Sequence, residues 1–149
     1  MEKKCDHKKN DFKYVVALSP AFSDYGEIII SKSNGKGQIK ITLKDKYQTK
    51  IIAQNSTSLN ESDFEYFNTA LNGVSLKTVK TELKQGLDGI LVKNSYYEGN
   101  INNTFRFWSP AKGTKECHII ESVIGLSKRK FTTEEYQDYF ESLKKYYGY

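Results

Sequence analysis

Residues that carry chemistry are scarce in this 149-residue chain, which has two cysteines, two histidines, one methionine and one tryptophan. Two cysteines cannot build a disulfide scaffold or a four-cysteine zinc site. Cys5 lies in a polar N-terminal stretch, and Cys117 precedes an apolar run, where a small buried thiol is the simplest expectation. His7 shares the polar stretch. His118 adjoins Cys117, but neighbours on a helix point apart, so adjacency makes no nucleophile–base pair. The patterns HExxH, CxxC, GxSxG and the EF-hand loop are missing, and "SNGKG" lacks the spacing of a phosphate loop. The expectation is therefore a protein that is not an enzyme, with no catalytic residue, no cofactor and no metal. Asp63, Glu65, Glu134 and Glu135 read as helix-start charges. A carboxylate pair assembled by folding is not legible from spacing.

Proline is as rare, at two residues, and no apolar run approaches membrane-spanning length. The first ten residues lack the apolar core of a signal peptide. As written, the chain reads as cytoplasmic and reduced. The alternative is a periplasmic or envelope lipoprotein whose signal has been removed, tethered to lipid through Cys5 of "CDHKKN".

Aromatic residues, by contrast, are plentiful: 11 Tyr and 8 Phe in a chain that is 38% hydrophobic, enough for one domain with an aromatic-rich core. Residues 1–11 read as a flexible basic tail and residues 12–149 as a single domain. Net charge is +5, and the surplus sits mainly in the first third of the chain. An excess of that size permits an acidic partner without requiring one.

Alternation marks the strands. "FKYVVALS" (12–19), "EIIIS" (27–31) and "QIKITLK" (38–44) are β-branched and apolar, the last with Ile39, Ile41 and Leu43 on one face and Lys40, Thr42 and Lys44 on the other. "NGKG" (34–37) turns the chain, and "DK" (45–46) turns it again into "YQTKIIAQ" (47–54). A meander of three or four strands follows. "SLNESDFEYFNTALNG" (58–73) predicts a helix capped by Asn60, with Asp63 at the third position, a Leu59–Phe64 staple and a face of Phe64, Phe67 and Leu71.

Residues 76–84 fit either a helix or a strand. Asp88-Gly89 favours a hairpin that pairs Leu87 with Ile90 and Leu83 with Asn94, burying Val79, Leu83, Leu87, Ile90, Val92 and Tyr96 on one face. "ECHIIESVIGL" (116–126) has helical spacing, "SKRK" (127–130) reads as a short basic linker, and a final helix opens with a Thr132–Glu135 capping box and a Phe131–Tyr136 staple. Its apolar stripe is Tyr136, Phe140, Leu143 and Tyr147.

"FRFWSP" (105–110) poses the functional question. On a strand, Phe105 and Phe107 share one face, and Arg106 and Trp108 the other. Paired Phe on a strand is usually core. Arg106, Trp108 and Lys93 are then the candidate partner contacts, because Trp and Arg are enriched at protein–protein hot spots.

The expected architecture is α+β: an antiparallel sheet (meander plus hairpin), one inserted helix, and two C-terminal helices packed on one face, the other face being polar. That order of strands, helix, hairpin, "FRFWSP" and helices resembles the small α+β immunity proteins that neutralise secreted or contact-delivered bacterial toxins. The resemblance is architectural, spans most of the chain and assigns no residue. It implies a non-enzymatic protein-binding module whose partner is a toxin domain, an acidic one given the positive charge. The runner-up is a single-stranded nucleic-acid binder using Lys40, Lys44, Lys93 and Arg106. Oligomeric state is not legible.

Overall fold

The computed structural model describes residues 11–149. The tail and its proposed tether Cys5 lie outside the described residues, apart from Asp11, whose carboxylate accepts the Asn34 N–H at 3.0 Å. The strands are β1 (Phe12–Pro20), β2 (Tyr25–Ser33), β3 (Lys36–Lys44), β4 (Ile51–Leu59), β5 (Ile90–Glu98) and β6 (Ile101–Trp108). The helices are α1 (Glu61–Leu71), α2 (Lys115–Lys130) and α3 (Glu134–Leu143), with a short 3₁₀ turn, Lys144–Tyr146, after α3. All six strands form one antiparallel sheet in the order β4-β3-β2-β1-β5-β6. The fold is α+β, as the patterning implies.

Register explains why one face is dry. Tyr14, Val16 and Leu18 of β1 stand beside Ile30, Ile28 and Gly26 of β2 and beside Tyr96, Asn94 and Val92 of β5. Ile28 and Ile30 continue onto Ile41 and Ile39, and Val92 and Asn94 onto Phe107 and Phe105. With a side-chain period of two, this set shares one face. All three helices contribute buried residues to the same core, among them Phe67, Ile119, Ile120, Val123, Phe140 and Leu143. Gly26 is part of the fit. A Cβ there would come within 2.3 Å of the Tyr139 hydroxyl, so the glycine is the notch that admits α3's aromatic ring.

One buried polar link crosses the sheet. Tyr14 Oη donates to Asn94 Oδ1 at 2.5 Å, and Asn94 Nδ2 reaches the carbonyls of Val92 and Phe105 at 3.4 and 3.3 Å. A buried amide in an apolar layer is tolerable because each of its ends is bonded.

Helix α1 starts as expected. Asn60 Oδ1 accepts the Asp63 N–H and Asp63 Oδ2 accepts the Asn60 N–H, both at 2.9 Å, and Asn72 in the left-handed region closes the helix. Four expectations need correction. The "SKRK" linker is the last turn of α2, where its three cations face the negative end of the helix dipole. The cap of α3 is Thr133 rather than Thr132, and its hydroxyl bonds the Glu135 carboxylate, so no capping box forms. The Phe131–Tyr136 contact does form, with ring centroids 5.4 Å apart. β4 begins at Ile51, not Tyr47, because Asp45 gathers the backbone N–H groups of Thr49 and Lys50 into a loop.

The largest correction concerns residues 72–89, which are neither helix nor strand. The hairpin of this half turns at Gly99-Asn100, pairing Glu98 with Ile101. Asp88-Gly89 makes no hairpin because β5 pairs with β1 instead, and the Gly89 carbonyl accepts the Ala21 N–H at 2.8 Å. Leu76 and Val79 are buried, but Leu83 and Leu87 are 89% and 92% exposed, the opposite of the hairpin reading. The segment is held from its sides: Lys77 pairs with Glu98 at 2.9 Å, and Asn103 Nδ2 donates to the Leu76 and Val79 carbonyls at 2.9 Å each.

Candidate functional site

Every other side chain of each strand points away from the helices, and among the described residues no helix or strand lies over them, the 86–89 segment covering only the margin at Trp108. This outer face is the candidate site. Pairing places Lys13 on β1, Lys36, Lys40 and Lys44 on β3, Lys93 on β5 and Arg106 on β6, all facing outward, against the single carboxylate of Glu27 on β2. None of the six cations has a carboxylate within ion-pair distance among the described residues. Most remaining outward positions are hydroxyl-bearing or amide-bearing, with half-buried Val15, Ala17 and Ile29 at the centre and Leu91 beside Trp108 at one margin.

Two of the residues singled out from sequence meet here. Lys93 and Arg106 are direct cross-strand partners. They flank a shallow concavity of about 290 Å³ into which Thr81, Ser95 and Thr104 also project. Like charges set directly opposite cost stability, so the pair is a local conflict that the fold does not require. Such conflicts gather where a ligand resolves them. A second concavity, of about 700 Å³, opens on the same face between β2, β3 and β4 and is lined by Ser31, Ser33, Lys36, Gln38, Ser56 and Ser58.

Trp108 is on this face as expected but at its margin and half-buried. The chain folds over it at residues 86–89: a Cβ on Gly89 would approach the indole to 2.7 Å, and one on Gly86 to 3.0 Å. Its first role is to seat that segment. Sequence reading missed Lys13 and Lys36, which join the site only through strand register. The available signal was the alternation of lysine along "KGQIK".

The cysteine and histidine of α2 do not form a reactive pair. Cys117 is buried, and burial, aided by the nearby Glu121 carboxylate, pushes its thiol up to about 11. His118 turns to Asn72, with Nε2 and Nδ2 3.4 Å apart. Because the thiolate is the reactive species, Cys117 should resist a disulfide reagent in the folded protein at neutral pH and react promptly once unfolded. A thiol-exchange time course with and without denaturant checks this, and equal rates would contradict the burial.

Among the described residues no cluster of three or more His, Cys, Asp or Glu side chains is placed to hold a metal, and no helix is long and apolar enough to cross a membrane. The sequence matches no protein-family profile and no curated protein.

Proposed function

We propose that this chain is a non-enzymatic protein-binding module that takes an acidic protein surface on the outer face of its sheet. The observation that carries the reading is the uncovered face with six cations against one carboxylate. A charge distribution of this kind steers an oppositely charged partner and fixes its register. The immunity-protein resemblance gives that partner a concrete form, a toxin domain with an acidic surface. Lys93 and Arg106 are the central contacts, and Trp108 supports the segment beside them.

Single-stranded nucleic acid is the competing occupant of a basic sheet face. It needs aromatic side chains among the cations on which bases stack. The aromatics of this face, Tyr25, Tyr97 and Trp108, lie near its ends, and its centre is Val15, Ala17 and Ile29. The face therefore suits protein better.

The test joins two measurements. Capture from the organism that encodes the chain is compared between wild type and Lys93→Glu/Arg106→Glu, each verified as folded by circular dichroism. A partner with an acidic surface should be retained by wild type and weakened about tenfold or more by the double reversal. In parallel, a fluorescent oligothymidylate is titrated against the protein at about 0.15 M salt, where binding through phosphate contacts is already attenuated. No saturable binding is expected. Micromolar binding of the oligonucleotide, or capture indifferent to the reversal, overturns the reading.

A further inference from the structure

The two edges of the sheet are finished differently. Along β6, Glu82 donates its backbone N–H to the Arg106 carbonyl at 2.9 Å, and Thr81 Oγ1 accepts the Arg106 N–H at 3.3 Å. Residues 76–82 thus occupy the groups that an incoming strand would need. Along β4, no described segment does the same. Its sequence, "IIAQNSTSL", has no charge, no proline and no glycine, and only Leu59 is buried. Natural sheets blunt a bare edge with lysine, proline, a bulge or a cover, since unpaired N–H and C=O groups are a template for another strand. The one irregularity, at Leu43/Lys44, lies at the start of the β3–β4 ladder and leaves the rest in register.

Ser56 shows which way the backbone groups of β4 turn. Its N–H donates to the neighbouring Asn55 Oδ1 at 2.8 Å, a local bond that an incoming strand would replace. In an antiparallel ladder outward-turned backbone groups recur at alternate residues, so Gln54, Ser56 and Ser58, in the regular part of the β3–β4 ladder, turn theirs away from β3.

We propose that β4 pairs antiparallel with β4 of a second copy of this chain. A two-fold interface must be complementary to itself. Gln54, Asn55, Ser56, Thr57 and Ser58 each offer both a donor and an acceptor. Any of them can therefore face its own kind across the axis, which a lysine or glutamate cannot do without opposing a like charge. Backbone bonding requires outward residues to meet outward residues. An axis through Asn55 does this, setting Gln54 opposite Ser56. It also draws in Ile51 and Ile52, which are 55% and 48% exposed in the single chain. The nearest cations, Lys40 and Lys44, stand one strand back. Across the axis each is three strand spacings, about 14 Å, from its counterpart strand, beyond the screening length of about 8 Å at physiological salt. The pairing uses the edge and not the outer face, so it is independent of the function proposed above. Because the axis is perpendicular to the sheet, both cationic faces look the same way.

The experiment is sedimentation velocity on the full chain from about 1 to about 100 µM, a range that brackets ordinary dimer affinities. The species should pass from 17.1 kDa to about 34 kDa as concentration rises. Ser56→Pro removes an outward N–H, which an edge strand tolerates in the single chain, and should leave a folded protein that is monomeric throughout. A covalent readout covers the case in which that variant misfolds. In a Cys5→Ser background, Asn55→Cys should form a disulfide-linked dimer on mild oxidation, since residues facing each other on a two-fold strand pair lie within disulfide reach. Thr104→Cys, on the far strand, should not. A chain that stays monomeric up to about 100 µM overturns the proposal and leaves the edge to a foreign strand. A dimer untouched by Ser56→Pro and unlinked by Asn55→Cys also overturns it, because its interface then lies elsewhere.

Discussion

Phe107→Ala should lower the stability of the fold by about 3–5 kcal/mol, the range for emptying a buried aromatic site. Phe107 is 1% exposed and stacks on Phe105 with centroids 6.4 Å apart. Its strand lies beside β5, opposite Val92, so the cavity would open directly beneath the helical layer. Trp108→Ala should cost less, about 1–2 kcal/mol, because the indole is half-buried under a loop rather than in the core. The contrast follows from strand geometry, since neighbouring residues point to opposite faces. Urea unfolding of both variants measures it. If Phe107→Ala holds its midpoint while Trp108→Ala unfolds, the assignment of the two faces is inverted, and the pair of phenylalanines becomes the binding surface.

Asp63→Ala should be nearly as damaging, at about 3 kcal/mol, since it breaks charge-assisted bonds at a buried position. The carboxylate is almost fully enclosed. It accepts the Asn60 N–H, meets Lys130 at 3.1 Å and Arg129 at 3.5 Å, and so ties the start of α1 to the end of α2. Burial alone would raise its pKa, but the Asn60 N–H and the two cations outweigh burial and hold it below the usual carboxylate range. A carboxyl depressed in the folded state stabilises the protein above its unfolded value, about 3.9, and that contribution is lost as pH falls through the lower folded value. The stability gap between wild type and Asp63→Asn should therefore be widest above about pH 5 and close toward about pH 2. A gap that does not change with pH would falsify the ion-pair account and leave only a steric one.

The meander strands, the α1 cap and the two-sided sheet were legible because each depends on neighbours in sequence. The alternation of Ile39, Ile41 and Leu43 with Lys40, Thr42 and Lys44 fixes which side of β3 faces the core, although Thr42 on the other side is itself buried, and Asn60 with Asp63 announces α1. Long-range choices were not legible. Asp88-Gly89 is a good local turn, yet it loses to the pairing of β5 with β1, whose partner residues are far away in the chain. Leu83 and Leu87 then have no second layer to enter. The Lys93–Arg106 pair of the candidate site was named correctly as outward-facing residues, but their direct opposition depends on the Gly99-Asn100 turn, which sets the register of β5 on β6. Likewise Asp63 read as a helix-start charge, and nothing local indicates Arg129 and Lys130.

The seam between β1 and β5 also sets the order in which the molecule is made. Strands β1 to β4 are joined by short turns and can associate as they leave the ribosome, but the fifth strand lies about 70 residues beyond β1, so at synthesis rates of about 5–20 residues per second it arrives about 4–14 s later. Until then the second side of β1, with Tyr14, Val16 and Leu18, is an unpaired hydrophobic ribbon. The nascent chain in that interval is a four-stranded sheet with two open sides and one helix at most. Chaperone engagement and misassembly both belong to that window. The hydroxyl of Tyr14 closes it when it reaches Asn94, 80 positions away.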